Sequence, residues 1–117
     1  MLSKDDILKA KDLTVKEVEV PEWGGSVYIK SLTGTERDLY ESSITQIKGK
    51  EAKLDWRNAR AKLLVFTICD QDGNRLFNES EIGELGKKSA SALQRLFDVA
   101  TEMNGLSSTS EEELEKN

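Results

Sequence analysis

Val15-Lys16-Glu17-Val18-Glu19-Val20-Pro21-Glu22-Trp23-Gly24-Gly25-Ser26-Val27-Tyr28-Ile29-Lys30 decides the fold class. Its first six residues set apolar and charged side chains in near alternation, the period-two pattern of a half-buried strand. Pro21-Glu22-Trp23-Gly24-Gly25 reads as a turn, because its glycines can take positive φ without steric cost. Ser26-Val27-Tyr28-Ile29-Lys30 is then a second strand. The pair predicts a β-hairpin with a loop slightly longer than two residues.

Outside this hairpin, helix signals dominate. Ser3 and Asp6 make an N-cap pattern for a short helix from Lys4 to about Lys11, presenting Ile7 and Leu8. Thr33 and Glu36 form a capping-box pattern. Leu39, Tyr40, Ile44 and Ile47 follow near helical spacing, which predicts a helix from Gly34 to Lys48. Gly49 would be its C′ residue, with a basic-polar loop from Lys48 to Lys53. Asp55 is placed to cap a helix starting at Trp56 and carrying Ala59, Leu63, Leu64 and Phe66. The β-branched and aromatic Val65-Phe66-Thr67-Ile68 weakens the helix signal at its end.

Asp72-Gly73-Asn74 is a turn signal, and Arg75-Leu76-Phe77 reads as a short extended piece. Asn78 with Glu81 opens a short helix that stops at Gly83 or Gly86. A last helix runs from Lys87 to Met103, with Leu93, Leu96, Phe97, Ala100 and Met103 in one apolar stripe, and Asn104-Gly105 closes it. The remainder is Ser/Thr-rich and then Glu-rich, the composition of a disordered tail. The expected architecture is α+β: a mainly helical single domain over 1–105, with an N-terminal β-hairpin packed on four or five helices, and a disordered acidic C-terminal tail over 106–117.

A chain of 117 residues can bury a core without disulfides or metals. Its 22 acidic against 17 basic residues give a net charge of −5, which disfavours nucleic acid and anionic membrane surfaces as partners. No apolar run approaches the roughly 20 residues of a membrane span, and the N-terminus lacks the pattern of a signal peptide. The chain has one cysteine, so no internal disulfide forms, as suits a reducing cytoplasm. That cysteine, Cys69, follows an apolar run and reads as a small core side chain. With no histidine in the chain it has no obvious base partner. The expectation is therefore no enzyme activity, no catalytic residues and no cofactor.

The nearest thing to a metal site is the loop from Asp70 to Glu81. Counted as a calcium loop, it puts Asp70, Asp72 and Asn74 at the first, third and fifth positions, and Asn78 and Glu81 at the ninth and twelfth. The sixth position needs a glycine for the sharp turn, and Arg75 stands there. The simpler reading is a surface turn followed by an Asn78 helix cap, with no metal. Gly83-Glu84-Leu85-Gly86-Lys87-Lys88-Ser89 has the wrong glycine spacing for a phosphate loop.

What remains is protein binding. A large aromatic in a glycine-rich turn, Trp23, either latches onto the body or stands out as an interface anchor. With Val18, Val20 and Tyr28 of the hairpin, and Leu93, Leu96 and Phe97 of the final stripe, it makes up the candidate partner-binding set. A partner could dock as a helix in a groove or as a strand on the hairpin edge. Self-association is left open.

Val18-Glu19-Val20-Pro21-Glu22-Trp23-Gly24-Gly25, then Val27-Tyr28-Ile29, Leu32-Thr33-Gly34 and Glu36-Arg37-Asp38 also carry a resemblance. So do Cys69-Asp70-Gln71-Asp72-Gly73-Asn74-Arg75-Leu76-Phe77, Leu85-Gly86-Lys87-Lys88-Ser89 and Asn104-Gly105-Leu106-Ser107. In this order, and over about residues 1–110, the chain resembles the tail assembly chaperones of long-tailed, siphovirus-type bacteriophages and prophages.

The resemblance implies a protein made in the cytoplasm of the bacterial host and absent from the mature virion. It would bind the tape measure protein, keep it soluble and help recruit tail tube (major tail) subunits. A programmed frameshift that yields a longer form is a further implication. Glu115-Lys116-Asn117 admits the codons GAA-AAA-AAC, which contain the slippery heptamer A-AAA-AAC, without requiring them. The competing readings are a permanent minor tail or adaptor protein, and a calcium-responsive regulator built on Asp70 to Glu81.

Overall fold

A computed structural model describes residues 1–106. The expected disordered tail lies outside these residues, apart from Leu106. The fold is α+β, with its helices packed beside an antiparallel three-stranded sheet.

Strand β1 (Val15–Val20) and strand β2 (Gly25–Lys30) form the expected hairpin, with Val15 opposite Lys30 and Val20 opposite Gly25. A 3₁₀ turn over Pro21–Trp23 joins them, and Gly24 closes it at φ +73°. That left-handed conformation disfavours any residue with a Cβ. Upstream, helix α1 (Lys4–Lys9) carries the Ser3–Asp6 capping box and has no buried residue.

Helix α2 (Gly34–Ser43) starts at the expected Thr33–Glu36 capping box but ends five residues short of Lys48. Ser43 Oγ donates to the Tyr40 carbonyl at 2.6 Å and Thr45 Oγ1 to the Glu41 carbonyl at 2.7 Å. Lys62 Nζ reaches the Ser43 carbonyl at 2.9 Å. These donors satisfy acceptors that further helix would have used. The chain instead makes a second hairpin, β3 (Thr45–Lys48) and β4 (Glu51–Leu54), in place of the expected helix end and loop. Gly49, at φ +64°, is a turn residue of that hairpin and not a helix C′ residue.

Helix α3 (Ala59–Thr67) begins three residues later than expected. Asp55 does not cap it; its carboxylate accepts the Arg57 N–H at 3.0 Å and pairs with the Arg57 guanidinium. The helix opens from Asn58 at φ 57°. It is the core helix: Ala59, Ala61 and every residue from Leu63 to Thr67 are buried, and its charged side chains are confined to Arg60 and Lys62 in its first turn. With no intervening loop it becomes strand β5 (Ile68–Cys69), which pairs with β2 through Tyr28–Cys69 and Ile29–Ile68. The sheet order is β1-β2-β5, so β1 is an outer strand.

Gly73 turns the chain at φ +86° after β5, and Arg75 bridges back to Cys69. Asn78 and Glu81 form the expected capping box, followed by a 3₁₀ turn over Glu79–Glu81 and helix α4 (Ile82–Leu85). Helix α5 (Ala90–Met103) starts at Ser89, whose hydroxyl accepts the Ala92 N–H, and not at Lys87. It packs along α3 and buries Leu93, Leu96, Phe97 and Ala100. Asn104 ties its end to the start of α2: its side-chain oxygen accepts the Leu32 N–H at 2.6 Å, and its carbonyl accepts from Arg37 at 3.1 Å.

Candidate partner-binding surface

The seven residues of the candidate set divide by burial. Val20, Leu93, Leu96 and Phe97 are core residues, none more than 5% exposed. Their side chains are already occupied by α3 and the sheet, so in this conformation they offer no surface to a partner. Val18, Trp23 and Tyr28 are half-buried. Trp23 folds back and packs against the core, which closes its indole Nε1 from solvent without a hydrogen-bond acceptor. Such an unpaired donor costs about 1–3 kcal/mol.

The turn that carries Trp23 is held by its neighbour. Glu22 accepts from Arg95 and, at 2.8 Å, from Ser91 Oγ, both on α5. Arg95 chiefly, with Ser91, holds the Glu22 carboxyl down to about 2. Beneath the hairpin, Lys30 and Glu36 form an ion pair that is almost fully buried. Burial pushes the Glu36 carboxyl up, but Lys30 and the Thr33 N–H outweigh it and leave it below its ordinary value.

Exposed apolar side chains lie elsewhere, at positions outside the candidate set. Leu2, Ile7 and Leu8 stand out on and beside α1, and Leu13 follows. Ile47 and Leu54, on the second hairpin, are 75% and 48% exposed. Leu54 also lines a hollow of about 230 Å³ with Arg37, Tyr40, Ile44, Trp56 and Leu106. Burial, and then the charge of Glu41, push the Tyr40 hydroxyl in its wall up to about 12, so it stays protonated. Leu54 and Trp56 are shared with an adjoining open trough rimmed by Lys48, Arg57 and Arg60. The signal missed in the sequence is Lys48-Gly49-Lys50-Glu51, a two-residue turn flanked by short strands, which creates the far wall of this groove.

The loop from Asp70 behaves as a turn. Asp70 Oδ1 accepts the N–H groups of Asp72 and Asn74, each at 2.9 Å, and Oδ2 accepts from the Asn74 side chain. These donors, Asn74 first, hold its carboxyl below the usual range. Arg75 turns inward instead of bending the loop: its guanidinium lies 4.7 Å from the Phe66 ring centroid and donates to the Val65 carbonyl. Asn78 is spent as a helix cap. Among the described residues no group of three or more acidic, Cys or His side chains gathers as a metal site. Cys69 is buried, which raises its thiol pKa and keeps it out of the reactive thiolate form.

The family model for phage tail assembly chaperones matches residues 7–117. Among solved structures, that of the bacteriophage HK97 tail assembly chaperone superposes with a TM-score of 0.60 at 21% identity, covering 85% of this chain and 94% of that one. That likeness speaks to the fold. Curated proteins give no match. The match along nearly the whole chain places this protein in the phage tail assembly chaperone family, whose members are non-enzymatic and act in the host cell on protein partners of the tail.

Proposed function

We propose that the chain binds the tape measure protein, keeps it soluble and helps bring tail tube subunits to it, without remaining in the finished virion. The observation that carries this reading is the family membership over residues 7–117. Its physical support is the apolar surface left uncovered at Leu2, Ile7, Leu8, Ile47 and Leu54. Apolar side chains left exposed in groups, as on and beside α1 and on the second hairpin, mark sites for another protein. A long amphipathic client requires such contacts, and a net charge of −5 helps keep the loaded complex in solution. Val18, Trp23 and Tyr28 contribute through the outer hairpin, whose β1 is an outer strand of the sheet among the described residues and so offers an edge for strand addition.

The test is co-expression of the full chain with the tape measure gene of the same phage. The soluble fraction of the tape measure protein is expected to rise several-fold. An unchanged fraction overturns the client assignment. Mass spectrometry of purified virions is expected to lack this chain; its presence in stoichiometric amount favours a permanent tail component. A longer product made by a −1 frameshift at Lys116-Asn117 is part of the same proposal. Codons that break the run of adenines there, or a closed −1 frame beyond, remove it.

A further inference from the structure

Leu106 is the last described residue, and it lines the hollow between α2, α5 and the β3–β4 hairpin. The helix end steers it there. Gly105 takes φ +62°, the Leu106 N–H returns to the Thr101 carbonyl at 2.9 Å, and the Leu106 side chain packs on the core. The described chain therefore ends in the wall of this hollow. The hollow shares Leu54 and Trp56 with the trough rimmed by Lys48, Arg57 and Arg60. Arg57 is paired with Asp55, and Arg60 donates to Gln94 and lies 6.0 Å from the Phe97 ring centroid, but neither Lys48 nor Arg60 has an ion-pair partner among the described residues. With Gln46 and Asp55 completing its lining, the trough sets three cations against one carboxylate beside the apolar Leu54 and Trp56, on an acidic protein.

Residues 107–117 complement it in both respects. They carry Glu111, Glu112, Glu113 and Glu115 against a single lysine, and their one large apolar side chain is Leu114, set within the glutamates. Eight positions separate Leu114 from Leu106, and at most about 3.3–3.6 Å per residue gives roughly 26–29 Å of reach. Leu54 and Trp56 already share the hollow with Leu106, so reach is not limiting.

We infer that the segment Glu111–Glu115 docks in this trough of its own chain, with Leu114 on the floor of Leu54 and Trp56 and its glutamates against Lys48 and Arg60. The trough is then a receptor for acidic segments with one apolar anchor, and its resident occupant is the tail. A partner that uses the same floor has to displace that tail. Because the contact is intramolecular, its effective concentration is in the millimolar range for a short linker. Weak pairing therefore suffices to fill the site, and salt weakens it.

The test uses the full-length chain with Asn117→Cys carrying a nitroxide spin label; Cys69 is buried and poorly reactive. The readout is the indole N–H resonance of Trp56, with that of Trp23, which does not line the trough, as the internal reference. Expected is at least a twofold loss of Trp56 intensity relative to Trp23, abolished by Leu114→Ser and reduced at high salt. Equal intensities overturn the inference. Loss that persists in the Leu114→Ser chain also overturns it. So does loss transferred to isotope-labelled chains mixed with spin-labelled unlabelled ones, which assigns the trough to the tail of a second copy. None of these outcomes depends on the tape measure protein.

Discussion

Glu22, at the tip of the first hairpin, accepts a hydrogen bond from Arg95, seventy-three positions later on α5. This pair, with Ser91, is the polar clasp that closes the hairpin tip over the helical layer. Its electrostatics carry a sign. The Glu22 carboxyl is lowered from the usual 4.5 to about 2 by Arg95 first. The stabilisation it contributes is fully present above the unfolded-state value and is lost as pH falls toward about 2. Glu22→Gln is expected to flatten the fall of the thermal midpoint between pH 5 and pH 2, read by circular dichroism melts across that range. An unchanged acid limb would show that the clasp is decorative.

The Lys30–Glu36 pair calls for a different outcome. Its side chains are 6% and 15% exposed, and Glu36 also completes the α2 capping box. Lys30→Met removes one partner and leaves a carboxylate with little access to water. Breaking a buried pair in this way costs about 3–5 kcal/mol. The urea midpoint should drop accordingly, and the double variant Lys30→Met with Glu36→Gln should recover part of the loss.

Core and surface leucines are expected to separate cleanly. Leu96 is fully buried, and Leu96→Ala should cost about 2–5 kcal/mol. Leu54 is half-exposed, and Leu54→Ser should leave stability within about 0.5 kcal/mol. If the second hairpin meets the client, the same Leu54→Ser chain should solubilise less tape measure protein in co-expression. Equal solubilisation would move the client contact to α1 or the first hairpin.

Calcium should do nothing at the Asp70 turn. The Asp70 oxygens are engaged by N–H donors of residues 72 and 74, and Arg75 stands where the glycine of a calcium loop is needed. Calorimetric titration with millimolar calcium is expected to give no heat above dilution, and the thermal midpoint should not move. A binding isotherm with proportionate stabilisation would revive the calcium-regulator reading.

Much of the fold is legible in single residues. Ser3, Thr33 and Asn78 each open a helix or 3₁₀ turn with an acid three positions on, and all three capping boxes form. The β1–β2 hairpin, the Gly73 turn and the α5 stripe are equally direct. The second hairpin is hidden because Ile44 and Ile47 extend the helical spacing of Leu39 and Tyr40. Gly49 deepens the ambiguity, since a positive-φ glycine serves a helix end and a two-residue turn alike. The candidate set suffers from a related degeneracy. In a small domain an apolar helix stripe is claimed first by the single core, and Leu93, Leu96 and Phe97 went there. The surface that remains open is built from residues such as Leu54 and Trp56, whose exposure depends on a hairpin that periodicity does not reveal.

The direct passage from Thr67 in α3 to Ile68 in β5 has a mechanical meaning. With no linker between rod and ribbon, α3 cannot turn about its axis without shearing the Tyr28–Cys69 and Ile29–Ile68 pairing. Torque on the helical layer is transmitted to the sheet, and the middle of the molecule moves as one stiff block. Compliance is left to the parts hung on that block, α1 and the β3–β4 hairpin. The fold thus joins a rigid chassis to two short appendages.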